Sequence, residues 1–332
     1  RRLRRAACGC AALCMALCCV SCGAREHTAS GYAMGSYVTQ TAYTGDGALT
    51  GRVMEAILEA ERILSLSVED SAFARIARGE RVELGEEILE LLQQADALRV
   101  QSGGLFDIAV LPLTRLWNFD AAPEAPPDPD RIAQALARSG GGRIHTDGSA
   151  VWADAGSGIE PGAFGKGYAC DAAVAQYRAA RASGLISVGG SIGICGKKPN
   201  GDEFRVGVRD PFGGQTAFAG ALLLSDCFVS TSGSYEKSFT YAGTLYHHIL
   251  NPATGYPAAG GLVSVTAVGG SGALGDMLST ACFALGAEAA LPLLKTYGFE
   301  AILIRQDRTI LVTDGLRDRF EPAAGFEVEF VS

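Results

Sequence analysis

The chain has 332 residues, 48% hydrophobic and 19% charged, with 43 Gly, 12 Pro and a formal net charge of −8. This balance excludes disorder and fibrous repeats and describes a globular protein with enough apolar sequence for a real core. Arg1, Arg2, Arg4 and Arg5 lie in the first five positions, so the remainder stands near −12, the wrong sign for a nucleic-acid partner, whose phosphates require clustered Lys and Arg.

Residues 1–22 carry a basic stretch (RRLRR), an apolar run from Ala6 to Val20, and then Cys19-Val20-Ser21-Cys22, a small residue ahead of a cysteine. This is the layout of a signal peptide. It resembles the bacterial lipoprotein type, which implies acylation at Cys22 and a body held by a lipid anchor on the extracytoplasmic side of the cell membrane. A membrane-spanning reading is weaker, because the uncharged run Ala6–Ala24 is rich in Cys, Gly and Ala and barely reaches spanning length. Residues 23–32 are then a tether and 33–332 one domain. Cys170, Cys195, Cys227 and Cys282 are scattered through that domain without CxxC spacing. Neither a zinc site nor a disulfide framework is expected, and Cys195 and Cys282 sit in apolar runs as buried thiols.

Residues 33–42 alternate as a strand does, and Gly45-Asp46-Gly47 supplies a turn. Val53, Ala56, Ile57, Ala60, Ile63 and Leu64 follow helical spacing. A second helix over 86–101 repeats it and stops at Gly103-Gly104. The proline-rich stretch 121–129 reads as a surface loop before a short helix at 130–138. A helix over 168–182 and a buried strand at 185–188 follow, then a hairpin of 192–196 with 204–208 around Lys197-Lys198-Pro199-Asn200-Gly201. Strands are expected at 217–224, 237–241, 245–250 and 262–268, helices at 273–286 and 287–297, and closing strands at 300–304 and 309–313. Helices mixed with mainly hairpin-linked strands give an α+β class.

Three segments carry chemistry. In Gly162-Ala163-Phe164-Gly165-Lys166-Gly167-Tyr168 the glycines allow close backbone approach, a helix start offers free N–H groups and Lys166 adds charge, which together suit a phosphate. The P-loop spacing is absent, and a glycine-rich turn with an exposed lysine is the alternative. In the second segment Asp276 and Thr280 are four apart on one helical face, with Leu274, Leu278, Ala281 and Leu285 on the other. A carboxylate and a hydroxyl projecting together suit Mg²⁺, which keeps waters and borrows phosphate oxygens; Asp276 as a first-turn acid is the alternative. The third runs from Tyr246 to Gly255, a strand breaking into a turn. Its adjacent His247 and His248 point to opposite faces, so at most one serves a site, as a general base.

In order and spacing these segments resemble the ApbE-type FAD:protein FMN transferases. The matches are Met34-Gly35-Ser36, Gly104-Leu105-Phe106-Asp107 with Trp117-Asn118-Phe119, Gly165 to Asp171, Val188-Gly189-Gly190, Val206 to Pro211, Ser230-Thr231-Ser232-Gly233, His248 to Gly255 and Asp276 to Thr280. The resemblance implies a single two-lobed domain of mixed, mainly antiparallel sheets flanked by helices. It implies a Mg²⁺-dependent enzyme that cuts FAD and joins FMN through a phosphoester to a Thr or Ser of a redox protein, releasing AMP. The acceptors would be similar to subunits of sodium-pumping quinone reductases and related electron-transfer complexes. Asp276 and Thr280 would hold the metal, with the backbone carbonyl of Ala163 as a further ligand. His248 would assist deprotonation of the acceptor hydroxyl, and Lys166, beside Gly165, would serve the phosphates. Met34, Asp107, Gly189 and Gly190 fall in matched segments and are expected at the FAD site, Asp171 on its adenine side, and Ser230, Thr231, Ser232 and Gly233 along the cleft. The chain departs from the family pattern at Glu160-Pro161-Gly162-Ala163, and at Ser191, where an aspartate is usual. With water in place of the acceptor, the same site would be an FAD pyrophosphatase. A non-catalytic FAD-binding lipoprotein would need neither the metal pair nor the histidine.

Overall fold

The computed structural model describes residues 24–214 and 216–332, so the expected signal peptide and its Cys22 lie outside the described residues. The chain enters as a hairpin of β1 (Arg25–Ala33) and β2 (Ser36–Thr44), paired along its whole length. The connecting Met34-Gly35 has φ of 55° and 65°, the left-handed pair whose twist suits a two-residue hairpin turn. This corrects the expected tether over 23–32. The stretch is too polar to announce a strand, and its ladder with β2 holds it in place.

Next come α1 (Leu49–Leu64), α2 (Ala72–Ala77), β3 (Val82–Glu83), α3 (Glu86–Gln101) and α4 (Leu111–Trp117). The expected loop ends early: Pro129 opens α5 (Pro129–Leu136), a position where its missing N–H costs nothing, and Asp128 caps the helix by accepting from the Asp130 N–H at 2.9 Å. The strands β4 (Ile144–Asp147) and β5 (Ala150–Ala153) join β3 in a small sheet. The helix α6 (Gly165–Ala179) begins before its expected start, so Gly165-Lys166-Gly167 is its first turn.

After β6 (Ser183–Val188) and β7 (Ser191–Cys195) the expected hairpin does not form. Instead β7, buried over most of its length, lies between β6 and β10 (Phe228–Gly233), while β8 (Phe204–Arg209), alternately buried and exposed, pairs with β9 (Phe218–Leu224) in another sheet. A strand with both edges taken has none left for its neighbour in sequence. A ribbon of β11 (Ser238–Tyr241) and β12 (Thr244–His247) follows, ending three residues before the expected 250. The chain closes with β13 (Leu262–Gly269), α7 (Gly272–Leu285), α8 (Ala287–Tyr297), β14 (Glu300–Arg305), β15 (Thr309–Thr313), β16 (Phe320–Pro322) and β17 (Glu327–Val331).

Among the described residues the main sheet has nine strands in the order β1-β2-β6-β7-β10-β13-β14-β15-β17, antiparallel except for β15 with β17. One face packs on α1, α6 and α7 through Ile57, Ala169, Val174, Met277 and Cys282; the other packs on the β16-β9-β8 sheet through Ile194, Val206, Leu222 and Ile302. This is the expected α+β class with mainly antiparallel sheets. Cys170, Cys195 and Cys282 are buried free thiols. Among the described residues no helix is long and apolar enough to cross a membrane.

Candidate active site

The site forms where the starts of α6 and α7 meet the ends of the central strands. Asp276, one turn into α7, is buried. Its Oδ1 accepts the Ser191 hydroxyl at 2.7 Å and its Oδ2 accepts the Gly167 N–H of α6 at 2.6 Å. That second bond leaves the Ala163 carbonyl, four residues before Gly167, without its helical donor. Burial pushes the Asp276 carboxyl up, while the nearby Lys166 ammonium and the hydrogen bonds from Ser191, Ser230 and Gly167 pull it back.

One helical turn on, Ser279 and Thr280 face β10. The Ser232 Oγ lies 2.8 Å from Ser279 Oγ and 3.0 Å from Thr280 Oγ1. On the same strand the Ser230 hydroxyl lies 3.5 Å from the Gly272 carbonyl, and Thr231 Oγ1 pairs with Thr266 Oγ1 at 2.9 Å.

His248 stands just beyond β12. Its imidazole is pushed down to about 4, by burial first and then by Lys237, His247 and Lys166, so it is neutral near pH 7. Its Nδ1 is buried with no partner. His247 points the other way, with Nε2 3.1 Å from the Ala258 carbonyl and its ring edge-on to Phe283. Packing thus turns His248, and not His247, to the cavity. An aromatic cluster fixes the turn that follows: the Trp117 indole N–H donates to the Gly255 carbonyl at 2.8 Å, and the ring stacks on Phe119 and leans on Phe239 and Tyr246.

Eight of the expected residues line one cavity: Ala163 and Lys166 from the start of α6, Thr231, Ser232 and Gly233 from β10, His248, and Asp276 with Thr280 from α7. Gly165 lies behind them, close to the Met34 side chain, and the Met34 N–H is held by Glu61 Oε1 at 2.9 Å. Gly189 and Gly190 form the left-handed turn between β6 and β7, where Gly189 packs on Ser36 and Lys166. Asp107 and Asp171 are engaged elsewhere. Asp107 accepts the Ala109 and Gly141 N–H groups, both at 2.8 Å, and braces a loop. Asp171, expected on the adenine side, does not line the cavity, and its two oxygens accept the Gly272 and Ala273 N–H groups of α7, both at 2.8 Å.

Gly162, which opens the expected phosphate segment, also lines the cavity, as do Ser191, Glu236 and Ser279, which sequence reasoning gave no site role. Ser279 was within reach, since it lies three residues from Asp276 on the same helical face. No local signal marks Glu236. Ser191 occupies the position where the chain departs from the family pattern, and it gives Asp276 a hydroxyl in place of a second carboxylate.

Among the described residues no three His, Cys, Asp or Glu side chains group as a metal cluster. The donors on offer are a buried carboxylate, a hydroxyl and an unclaimed carbonyl, all hard oxygens. That set fits Mg²⁺, which completes its shell with water and phosphate oxygens. Lys166 and the start of α6 supply positive charge across from Asp276, so the cavity presents both signs to an anionic ligand.

An ApbE family model matches residues 34–303. An FAD:protein FMN transferase of Treponema pallidum is 34% identical over 289 residues, covering 80% of either chain. One of the same name from Klebsiella pneumoniae is 30% identical over 313 residues, covering 92% of this chain and 97% of its own. Among solved structures, the ApbE protein of Thermotoga maritima is similar at a TM-score of 0.77 and 27% identity, over 90% of this chain and 97% of that one. The flavin transferase ApbE of Vibrio cholerae shares the fold at a TM-score of 0.76 and 21% identity, over 91% and 98%. The family match spans the site from Met34 to Thr280, and the chain belongs to the ApbE family.

Proposed function

We propose that this chain is an FAD:protein FMN transferase that moves FMN from FAD to a Thr or Ser hydroxyl of a redox protein and releases AMP. The observation that carries this reading is the meeting in one cavity of a neutral buried histidine, a lysine at a helix start, and a carboxylate beside a hydroxyl. The shared name of the curated relatives supports it. Lys166 and the N–H groups opening α6 bind and orient the diphosphate. Held by Asp276, Thr280 and the Ala163 carbonyl, Mg²⁺ would supply neutralisation of the charge that develops on the phosphate oxygens. The acceptor hydroxyl is a poor nucleophile at neutral pH, and the neutral His248 imidazole, which lines the cavity, takes its proton as the oxygen attacks the flavin-side phosphorus. The new P–O bond forms as the bond to the bridging oxygen breaks. AMP leaves with that oxygen, and the imidazolium, held weakly by its buried surroundings, returns the proton to AMP or solvent.

Two further parts of the proposal rest on sequence alone. The acceptor is a subunit resembling those of sodium-pumping quinone reductases or related complexes, and acylated Cys22 holds the domain to the extracytoplasmic face of the membrane, as the leader pattern supports.

The test is mass spectrometry of a candidate acceptor after incubation with FAD and Mg²⁺. An FMN adduct on Thr or Ser is expected. FMN and AMP with an unmodified acceptor would make the chain a pyrophosphatase, and intact FAD would make it a carrier. Asp276→Ala is expected to slow Mg²⁺-dependent cleavage by at least about 10²-fold, and near-parent cleavage would refute the metal assignment.

A further inference from the structure

Helices α6 and α7 exchange carboxylates. Asp276 of α7 accepts the first-turn N–H of Gly167 on α6 at 2.6 Å. In return Asp171 of α6 accepts the first two N–H groups of α7, Gly272 at Oδ1 and Ala273 at Oδ2, both at 2.8 Å, with the Ser271 hydroxyl 3.4 Å from Oδ2. Between these bonds Gly167 and Gly272 are in backbone contact, and a Cβ on either would enter the other's main chain. The two helix starts are therefore locked at one separation and one rotation.

A helix start carries partial positive charge and unsatisfied N–H groups. At α7 that end is covered by Asp171, so it does not compete for an anion. At α6 it is shared between Asp276 and the cavity. The arrangement keeps the two signs apart, with Lys166 and the start of α6 on one side and Asp276 and Thr280 on the other.

We propose that Asp171 is a positioning residue: by holding the start of α7 against α6 it places Asp276 and Thr280 opposite Lys166 and so sets the affinity of the site for a divalent cation. The inference rests on the FMN-transfer reading and the metal assignment within it. Asp171 does not line the cavity; it acts through the backbone of α7. Without its carboxylate the Gly272 and Ala273 N–H groups lose their acceptor and α7 is free to shift.

The experiment measures Mn²⁺ binding to the FAD-free protein by electron paramagnetic resonance, with melting temperature and FMN-transfer kinetics taken on the same preparations. Two variants are compared. Asp171→Asn keeps the side-chain size but sets an amide against an N–H, whereas Ser271→Ala removes the hydroxyl that caps Leu274 and leaves Asp171 in place. Asp171→Asn is expected to weaken Mn²⁺ about tenfold or more, to raise the Mg²⁺ needed for half-maximal transfer by a similar factor, and to leave kcat at saturating Mg²⁺ within about threefold. Ser271→Ala is expected to lower the melting temperature with Mn²⁺ affinity within about twofold of the parent. Should Asp171→Asn fail to fold, Ala273→Pro removes one of the two donors at a first-turn position that tolerates proline, and a smaller weakening of the same sign is expected. The proposal is overturned if Asp171→Asn, or in its place Ala273→Pro, binds Mn²⁺ as the parent does, or if Ser271→Ala weakens it equally. A parent protein that binds no Mn²⁺ would sink the metal assignment itself, a different failure.

Discussion

At His248 burial, Lys237, His247 and Lys166 all act in one direction, and the imidazole is held down at about 4. The neutral ring is the basic form, so the proposed base is in its working state throughout the physiological range. His248→Gln is expected to lower FMN transfer by about 10²-fold or more with little change in FAD affinity, read by single-turnover kinetics beside a binding titration. The same depression has a consequence for stability. In the unfolded chain a histidine titrates near 6.5, so between there and about 4 the unfolded state binds more protons than the native one. The native state keeps its full margin above pH 6.5 and loses it as pH falls toward 4, by roughly 3 kcal/mol in all. Urea unfolding of parent and His248→Gln at pH 7, 5.5 and 4.5 measures this, and the parent should lose stability against the variant on acidification. A difference constant with pH would refute it. The sequence narrowed the base to one of two adjacent histidines by strand alternation. It did not choose between them, because the choice is made by Ala258 and Phe283, which chain order alone does not place beside them.

Glycines separate what an element prefers from what its neighbours permit. In α1, Gly51 is exposed with open space where a Cβ would stand, so Gly51→Ala is expected to stabilise the protein by about 0.5 kcal/mol through helix propensity. In α6 the same change at Gly167 meets the Gly272 backbone. A main chain cannot swing aside as a side chain can, so overpacking of about 1–3 kcal/mol outweighs the propensity gain. Gly167→Ala is expected to lower the melting temperature and Gly51→Ala to raise it; two shifts of the same sign would refute the close crossing. Trp117→Ala should cost about 3–5 kcal/mol by emptying the cluster that holds the turn after His248. Elements with an apolar stripe were legible: α3, α7 and α8 fall close to their expected limits, and α1 carries the expected stripe from Val53 to Leu64 but starts one turn earlier, at Leu49. Elements held by pairing were not. The polar β1 exists through its ladder with β2, and β10 (FVSTSG) hides a central strand behind hydroxyl residues that are paid for by partners on α7 and β13. The misread hairpin had a usable signal, since β8 alternates while β7 does not, and the two patterns belong to different sheets.

At the scale of the molecule the cavity draws on segments near 163, 191, 231, 248 and 276, and almost all of that convergence is long-range. Sequence order indicated which segments belonged to a site; it left open that Asp171 faces α7 and that Ser191 faces Asp276, because those contacts follow from the crossing of α6 and α7. A ligand that touches all five segments adds to the few hydrogen bonds by which Gly167, Ser191 and Ser232 already meet α7. Binding to the native state alone stabilises by mass action, about 2.7 kcal/mol when free ligand stands at a hundred times its Kd. FAD should therefore raise the melting temperature by several degrees. Asp276 sits at the edge of the proposed diphosphate site with its carboxylate pushed up by burial, so a cation and the dinucleotide should favour each other's binding. The expected pattern is a modest shift with FAD in EDTA, a larger one with FAD and Mg²⁺ together, and almost none with Mg²⁺ alone. In Asp276→Ala the increment due to Mg²⁺ should vanish while the shift with FAD alone persists. Equal shifts with and without Mg²⁺ in the parent would separate the cation from the diphosphate and remove the reason for placing both in the one cavity between the starts of α6 and α7.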